Sequence, residues 1–139
     1  MKNPNLTSAQ VKEISSSQTT NIELSLTHID NIENYEYILI IRSETSRYSK
    51  ITIYPIKKQK IIKLTLWGLK KIDEFTEAFS KRLQEYGIIH STGLVMIEGL
   101  LFFECYLNLS LNEEKYKDLI FFLDKNKKNI KDIQIMEIS

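Results

Sequence analysis

Apolar residues recur along this chain with two different periods, and the order of these periods predicts the secondary structure. Every second residue is apolar where a strand with one buried face is expected, and every third or fourth where a helix is expected. From residue 61 to residue 138 the periods predict strand, helix, strand, strand, helix and strand. Two strand-helix-strand crossovers of the usual right hand bring both helices to one face of one antiparallel sheet.

The first helix of this series has the clearest pattern and completes the evidence for the fold class. Its apolar stripe advances by three or four residues at each step and consists of Leu69, Ile72, Phe75, Phe79, Leu83 and Tyr86. Gly87 then supplies the left-handed residue that commonly closes a helix. Glu98 and Gly99 predict the turn between the two middle strands, and Asn112 predicts the cap of the second helix. We therefore predict an α+β fold with a ferredoxin-like βαββαβ unit over residues 61–138.

Residues 22–60 show the strand period alone. The alternation predicts three strands, over 22–27, 35–43 and 47–54. The middle strand is apolar on both faces, which suits an interior position, and Pro55 ends the third because proline donates no ladder hydrogen bond. We expect this antiparallel β-meander to extend the sheet of residues 61–138 or to cover its open face.

A change of composition predicts the domain organisation. The chain has 139 residues, which fits one domain, but residues 1–20 end in a run of serine, threonine and glutamine that is typical of a linker. We expect a flexible or partly helical amino-terminal tail over residues 1–20 and a single α+β domain over residues 21–139.

Charge and cysteine content narrow the choice of partner and compartment. Nineteen basic and eighteen acidic residues leave a net charge of +1, which gives no overall field to attract nucleic acid or an anionic membrane. No apolar run approaches the roughly 18 residues that a membrane span requires, so we expect no membrane partner. Cys105 is the only cysteine, so the chain cannot form an intrachain disulfide. This suits a reducing compartment, and the cytoplasm is the expected location.

The sequence offers few candidates for catalysis. His28 and His90 are the only histidines, and neither has a second ligand at a spacing typical of a zinc site. Cys105 lies in phase with large apolar residues, which indicates a core thiol rather than a nucleophile. An enzyme that works through His90 remains a hypothesis, because sites assembled from distant loops escape detection in a sequence. We expect a non-enzymatic protein without a metal or a cofactor.

Two sets of residues favour nucleic-acid binding as an alternative function. A lysine cluster surrounds the strand predicted over 60–67 and includes Lys57, Lys58, Lys60 and Lys63. Trp67, Phe102 and Tyr106 are expected on the sheet face opposite the helices, where aromatic rings can stack on unpaired bases. Each set also has a structural interpretation. The lysines then protect a strand edge from unwanted pairing, and the aromatic residues form a second core under the meander.

The unit over residues 61–138 also resembles an ACT domain, a small regulatory module that senses ligands. The likeness rests on the order of the elements and on the helix end Glu85-Tyr86-Gly87-Ile88. It implies an effector site in the turn after the first strand and at the start of the second strand, usually at a dimer interface. The residues at these places are Trp67, Gly68, Leu69, Ile89 and His90.

These observations lead to one functional expectation and one alternative. We expect a regulatory or protein-interaction module that associates with itself as a homodimer or with another protein, and that has a small-molecule effector as a further ligand. The alternative is a nucleic-acid-binding protein that uses the lysine cluster and the aromatic residues of the sheet face.

Overall fold

The computed structural model describes residues 7–57, 60–70, 73–109 and 113–138. The chain divides into two compact units, Met1–Ile32 and Glu33–Ser139. In the first unit, residues 7–31 form turns but neither a helix nor a strand. The tail over residues 1–20 and the single domain over residues 21–139 stay predictions.

The strand predicted over residues 22–27 is wrong. Residues 21–26 have no regular secondary structure, and Ile22 and Leu24 are exposed to solvent. An alternating pattern shows which side chains share a face, but a strand forms only where a neighbouring strand satisfies its backbone N–H and C=O groups. Within the described ranges, no strand pairs with this segment.

The next two strands form a separate hairpin. Strand β1 (Tyr37–Glu44) pairs with β2 (Ser49–Ile56) antiparallel over eight residues, from Tyr37 opposite Ile56 to Glu44 opposite Ser49. The turn closes where the N–H of Thr45 donates to the carbonyl oxygen of Tyr48 at 2.9 Å. Both strands are edges of a two-stranded sheet.

This arrangement corrects two predictions for the hairpin. The apolar run of β1 is not an interior strand, because only Leu39 and Ile41 are buried while Ile38 and Ile40 are exposed. Pro55 does not end the second strand but lies within it, opposite Ile38. A proline is tolerated there because edge strands have backbone groups that need no ladder partner.

A five-stranded antiparallel sheet forms the centre of the second unit. Its strands are β3 (Ile61–Trp67), β4 (Ile88–Ser91), β5 (Val95–Ile97), β6 (Leu100–Asn108) and β7 (Asp132–Ile138). The strand order is β4-β6-β3-β7, and β5 pairs with β6 beyond the end of β4. The second strand of the series predicted over residues 61–138 is therefore two short strands, since Gly93 interrupts it with a φ of 70°. The predicted turn at Glu98 and Gly99 is confirmed, with positive φ at both residues.

Both predicted helices are present, as α1 (Asp73–Glu85) and α2 (Glu113–Lys125). Their buried side chains join those of β3 and β6 in one cluster that includes Leu64, Leu66, Phe79, Leu83, Cys105, Leu107, Leu119 and Leu123. Gly87 follows α1 with a φ of 73° and closes it as predicted. Ile72, the side chain of Phe75 and Asn112 lie outside the described residues. The α+β fold class with antiparallel sheets is confirmed.

The β1–β2 hairpin covers part of the sheet face opposite the helices. A second cluster joins Leu39 and Ile41 of β1 to Ile61 of β3, and Tyr106 of β6 packs against it. The β1–β2 hairpin thus covers one end of the open sheet face, as was expected of residues 22–60. The alternative, that it extends the sheet, is wrong because β1 and β2 pair only with each other.

Two buried side chains, the Cys105 thiol and the Tyr86 hydroxyl, should make the fold less stable in alkaline solution. Burial raises the pKa of the Cys105 thiol to about 12. Burial and a 2.6 Å hydrogen bond donated to Asp118 raise the pKa of Tyr86 to about 12. In the unfolded chain the thiol loses its proton at about pH 9 and the hydroxyl at about pH 10. In the folded chain both groups keep their protons until about pH 12. The free energy of unfolding should therefore fall as the pH rises from about 9 to about 12, by up to about 1.4 kcal/mol per pH unit for each group.

Urea unfolding at a series of pH values measures this dependence, with Cys105→Ala and Tyr86→Phe as comparisons. The cysteine variant should lose the part of the decline that begins near about pH 9, and the tyrosine variant the part that begins near about pH 10. Parallel curves for the wild type and both variants would contradict the assignment.

Candidate functional site

His90 lies between the hairpin and the sheet. A register shift between Ile88 and His90 marks a β-bulge, which allows the neighbouring Ile89 and His90 side chains to lie on the hairpin side. His90 Nδ1 is 2.7 Å from the hydroxyl oxygen of Tyr54 on β2, and the Tyr54 and His90 rings meet edge to face with their centroids 5.7 Å apart. The Tyr106 ring flanks the imidazole at 6.4 Å. These contacts give His90 a role in anchoring the hairpin.

The turn at Gly68 is closed by the segment that precedes β7. Gly68 has a φ of 67°, and its N–H donates to the carbonyl oxygen of Leu101 at 2.8 Å. The N–H of Lys131 donates to the carbonyl oxygen of Trp67 at 2.9 Å. A Cβ atom at Gly68 would lie 2.5 Å from the Cβ of Lys131. The space beside Gly68 is thus filled by the protein itself.

The structure distributes the five residues of the predicted effector site over three places. Leu69 is buried in the core on the helix side of the sheet, and Trp67 lies on the opposite face with 37% of its surface exposed. Ile89 and His90 are near the hairpin. The β6 partners of Trp67 and His90 are Phe102 and Tyr106, which are four residues and roughly 13 Å apart along the strand. Binding of an effector by these residues stays a prediction.

The lysine cluster is divided between the two faces of the sheet. The Lys60 ammonium lies 4.5 Å above the Tyr116 ring of α2, on the helix side. Lys63 lies on the opposite face and forms a 3.3 Å ion pair with Glu104. Lys57 is exposed, and Lys58 lies outside the described residues. Lys60 and Lys63 thus lie on different faces of the sheet, and nucleic-acid binding through the lysine cluster stays a prediction.

The three aromatic residues of the sheet face are also divided. Tyr106 packs against the hairpin cluster. Trp67 and Phe102 lie beyond the hairpin and line a cleft of 170 Å³ together with Thr65, Asp132 and Gln134. The ammonium of Lys131 lies 4.7 Å from the centre of the Trp67 ring. Nucleic-acid binding through this face stays a prediction.

Two apolar surfaces at the edges of the sheet were missed by sequence reasoning. At one edge, the consecutive residues Leu94, Val95, Met96 and Ile97 are between 39% and 66% exposed. At the other edge, Ile120 of α2 and Met136 of β7 are 36% and 59% exposed, on opposite faces of the sheet. Phe121 of α2 is also exposed, and this could be predicted because it is out of phase with the apolar residues Tyr116, Leu119 and Leu123.

A groove lies beside β7 on the helix side. It measures 300 Å³ and is lined by Ile120, Leu123, Asp124, Lys127, Ile130, Lys131, Asp132, Ile133 and Ile135. Its walls are apolar and its charged residues are two lysines and two aspartates. This groove continues the surface formed by the exposed Ile120 side chain, so the β7 edge and α2 together form one candidate interaction surface.

Comparisons with known proteins identify no relative of this chain. No family model, curated protein or solved structure matches this chain. Among the described residues, no helix is long and apolar enough to cross a membrane. The same part of the chain contains no group of three or more histidine, cysteine, aspartate or glutamate residues placed to hold a metal ion.

Proposed function

We propose that this protein is a non-enzymatic interaction module that acts as a homodimer assembled through the edges of its five-stranded sheet. One observation carries the proposal: both free edges of the sheet are bordered by exposed apolar side chains, Leu94–Ile97 at one and Ile120 and Met136 at the other. Monomeric proteins rarely expose contiguous apolar surface, and such patches are typical of association sites.

The backbone of the sheet supports the same function. An edge strand presents a row of N–H and C=O groups that can pair with another strand, and proteins that avoid association protect such edges with charges or prolines. The three residues of β5, Val95, Met96 and Ile97, carry neither. Strand β7 is longer, with seven residues; its charged residues, Asp132 and Glu137, lie near its two ends, and its middle borders the apolar groove next to α2.

We further propose that residues 61–138 form a ferredoxin-like βαββαβ unit. Support comes from the alternation of strands and helices, the order β4-β6-β3-β7, and the cluster shared by both helices. A regulatory role of the ACT type, with a small effector, is a related proposal that rests on the helix end Tyr86-Gly87-Ile88. The location we propose is the cytoplasm, since the only cysteine is a buried thiol.

Sedimentation velocity of the full chain over a wide range of concentrations tests the homodimer. We expect one reversible equilibrium between a species with the mass of one chain and a species with twice that mass, because a symmetric interface closes after two copies. A single monomeric species up to about millimolar concentration, where even weak association is detectable, would remove the proposal.

A further inference from the structure

We infer that two copies of this protein associate by antiparallel pairing of their β7 strands, with the two-fold axis passing beside Gln134. This inference rests on the proposed homodimer and names the edge, the register and the contacts. Within the described ranges, no strand pairs with the outer side of β7, since it ends the order β4-β6-β3-β7. Seven residues are long enough for a stable ladder.

The hydrogen bonds of the sheet identify the groups of β7 that face outward. In an antiparallel sheet, successive residues of a central strand bond alternately to its two neighbours. The N–H of Leu109 donates to the carbonyl oxygen of Lys60 at 2.9 Å, and the N–H of Gly68 donates to that of Leu101 at 2.8 Å. Even-numbered residues of β3 therefore bond to β6, and odd-numbered residues bond to β7.

The partners of the odd-numbered β3 residues are the even-numbered residues of β7, such as Gln134 opposite Thr65. The backbone groups that remain for a partner strand belong to Ile133, Ile135 and Glu137. The N–H of Ile133 donates to the side-chain oxygen of Asp132 at 3.0 Å, which agrees with its outward direction. The free edge of β7 thus offers alternate N–H and C=O groups in the pattern that a second β7 requires.

One register satisfies both the backbone and the side chains. With Gln134 opposite its own copy, Ile133 of each chain faces Ile135 of the other, so both outward-facing residues form hydrogen-bonded pairs. These isoleucine side chains lie on the helix side, where they pack against the core. Lys131 of each chain then lies opposite Glu137 of the other, so the two opposite charges can meet on each side of the axis once the Lys131 ammonium leaves the Trp67 ring. This self-complementarity favours a second copy over an unrelated partner.

The same axis brings the two α2 helices together. Both helices lie on one side of the combined sheet, because paired residues of an antiparallel ladder share a face. Ile120 lines the groove beside Ile133 and Ile135 and is 36% exposed. The pairing therefore brings the two Ile120 side chains to the interface together with the strand edges, and it continues both layers of the fold across it.

A single cysteine at position 134 tests the register. The Gln134 pair on the axis is not hydrogen-bonded, so its Cα atoms should be about 4.5 Å apart, a distance that a disulfide spans. Gln134→Cys should form a covalent dimer with oxidised glutathione in native buffer. Cys105 is fully buried and does not compete. The matched control is Met96→Cys, a thiol at another exposed position on the opposite edge, which should stay monomeric on a denaturing gel.

A second variant pair tests the helix contact without oxidation. Ile120→Glu should raise the dimer dissociation constant about tenfold or more, because it places a carboxylate of each chain in the apolar groove beside the paired strands, while Met96→Glu should leave it unchanged. A wild-type dimer in which Gln134→Cys fails to cross-link, or in which Met96→Glu is the disruptive change, overturns this inference and leaves the proposed function standing. A wild type that is monomeric at every concentration overturns both.

Discussion

Replacing Gly68 with alanine should lower the free energy of unfolding by about 2 to 4 kcal/mol, one of the largest effects we expect from a single substitution. Gly68 has a φ of 67°, a conformation that costs a residue with a Cβ atom about 1 to 2 kcal/mol. The new Cβ would also lie 2.5 Å from the Cβ of Lys131, which cannot move without displacing the backbone before β7. Urea unfolding of the wild type and of Gly68→Ala measures the loss.

Gly93→Ala is the matched control for this prediction. Gly93 has nearly the same φ, 70°, but a Cβ atom there would meet nothing within 4 Å. The free energy of unfolding of Gly93→Ala should therefore fall only by the conformational cost, about 1 to 2 kcal/mol. The difference between the two variants isolates the contact between the Gly68 turn and Lys131. Equal losses at both positions would show that this contact does not constrain the turn.

Truncating Leu119 to alanine should lower the free energy of unfolding by about 3 to 5 kcal/mol. Leu119 is fully buried in the cluster that joins α2 to β3 and β6. The cost combines the lost transfer free energy of the side chain with the cavity it leaves behind. Chemical unfolding followed by circular dichroism measures it, in protein dilute enough to be monomeric.

Phe121→Ala provides the comparison on the same helix. Phe121 is two residues from Leu119 but is mostly exposed, so its loss should change monomer stability by no more than about 0.5 kcal/mol. A large effect at Phe121 together with a small effect at Leu119 would mean that α2 packs with another face against the sheet.

The helices α1 and α2 and the strands β3 and β6 were predictable because local periodicity indicates them. The stripe of α1 and the alternation in β3 and β6 specify which side chains are buried, and Gly87 and Gly99 mark the ends of elements by their conformational freedom. The segment 22–27 has the same kind of alternation, yet it forms no strand. Periodicity describes one chain segment, whereas a strand also depends on a partner that may be distant in sequence.

Neighbouring residues in the sequence were poor guides to the site. Trp67 and Leu69 flank one glycine, but they lie on opposite faces of the sheet because the chain reverses the direction of its side chains there. The lysines were divided because Lys60, directly before β3, and Lys63 within β3 are three residues apart and so point to opposite faces. Strand alternation alone could have shown this separation.

The sheet edges could not be predicted from local patterns. Whether β7 ends the sheet depends on the order in which four strands assemble, a property of the whole fold rather than of residues 132–138. The same holds for β1, whose apolar run suggests an interior strand although it has one partner only. Exposed apolar residues indicate an association surface only once the topology shows which sheet edges lack a neighbouring strand.

Amide hydrogen exchange measured by NMR in dilute and concentrated solutions tests most directly whether the outer edge of β7 pairs with a second copy. The amides of Gln134 and Met136 face β3 and should be protected at both concentrations. We predict that the amide of Ile135 exchanges rapidly in the dilute sample and becomes protected in the concentrated one, because pairing satisfies its outward-facing N–H group. Rapid exchange of the Ile135 amide at every concentration, in a sample that sedimentation shows to be dimeric, would contradict the pairing.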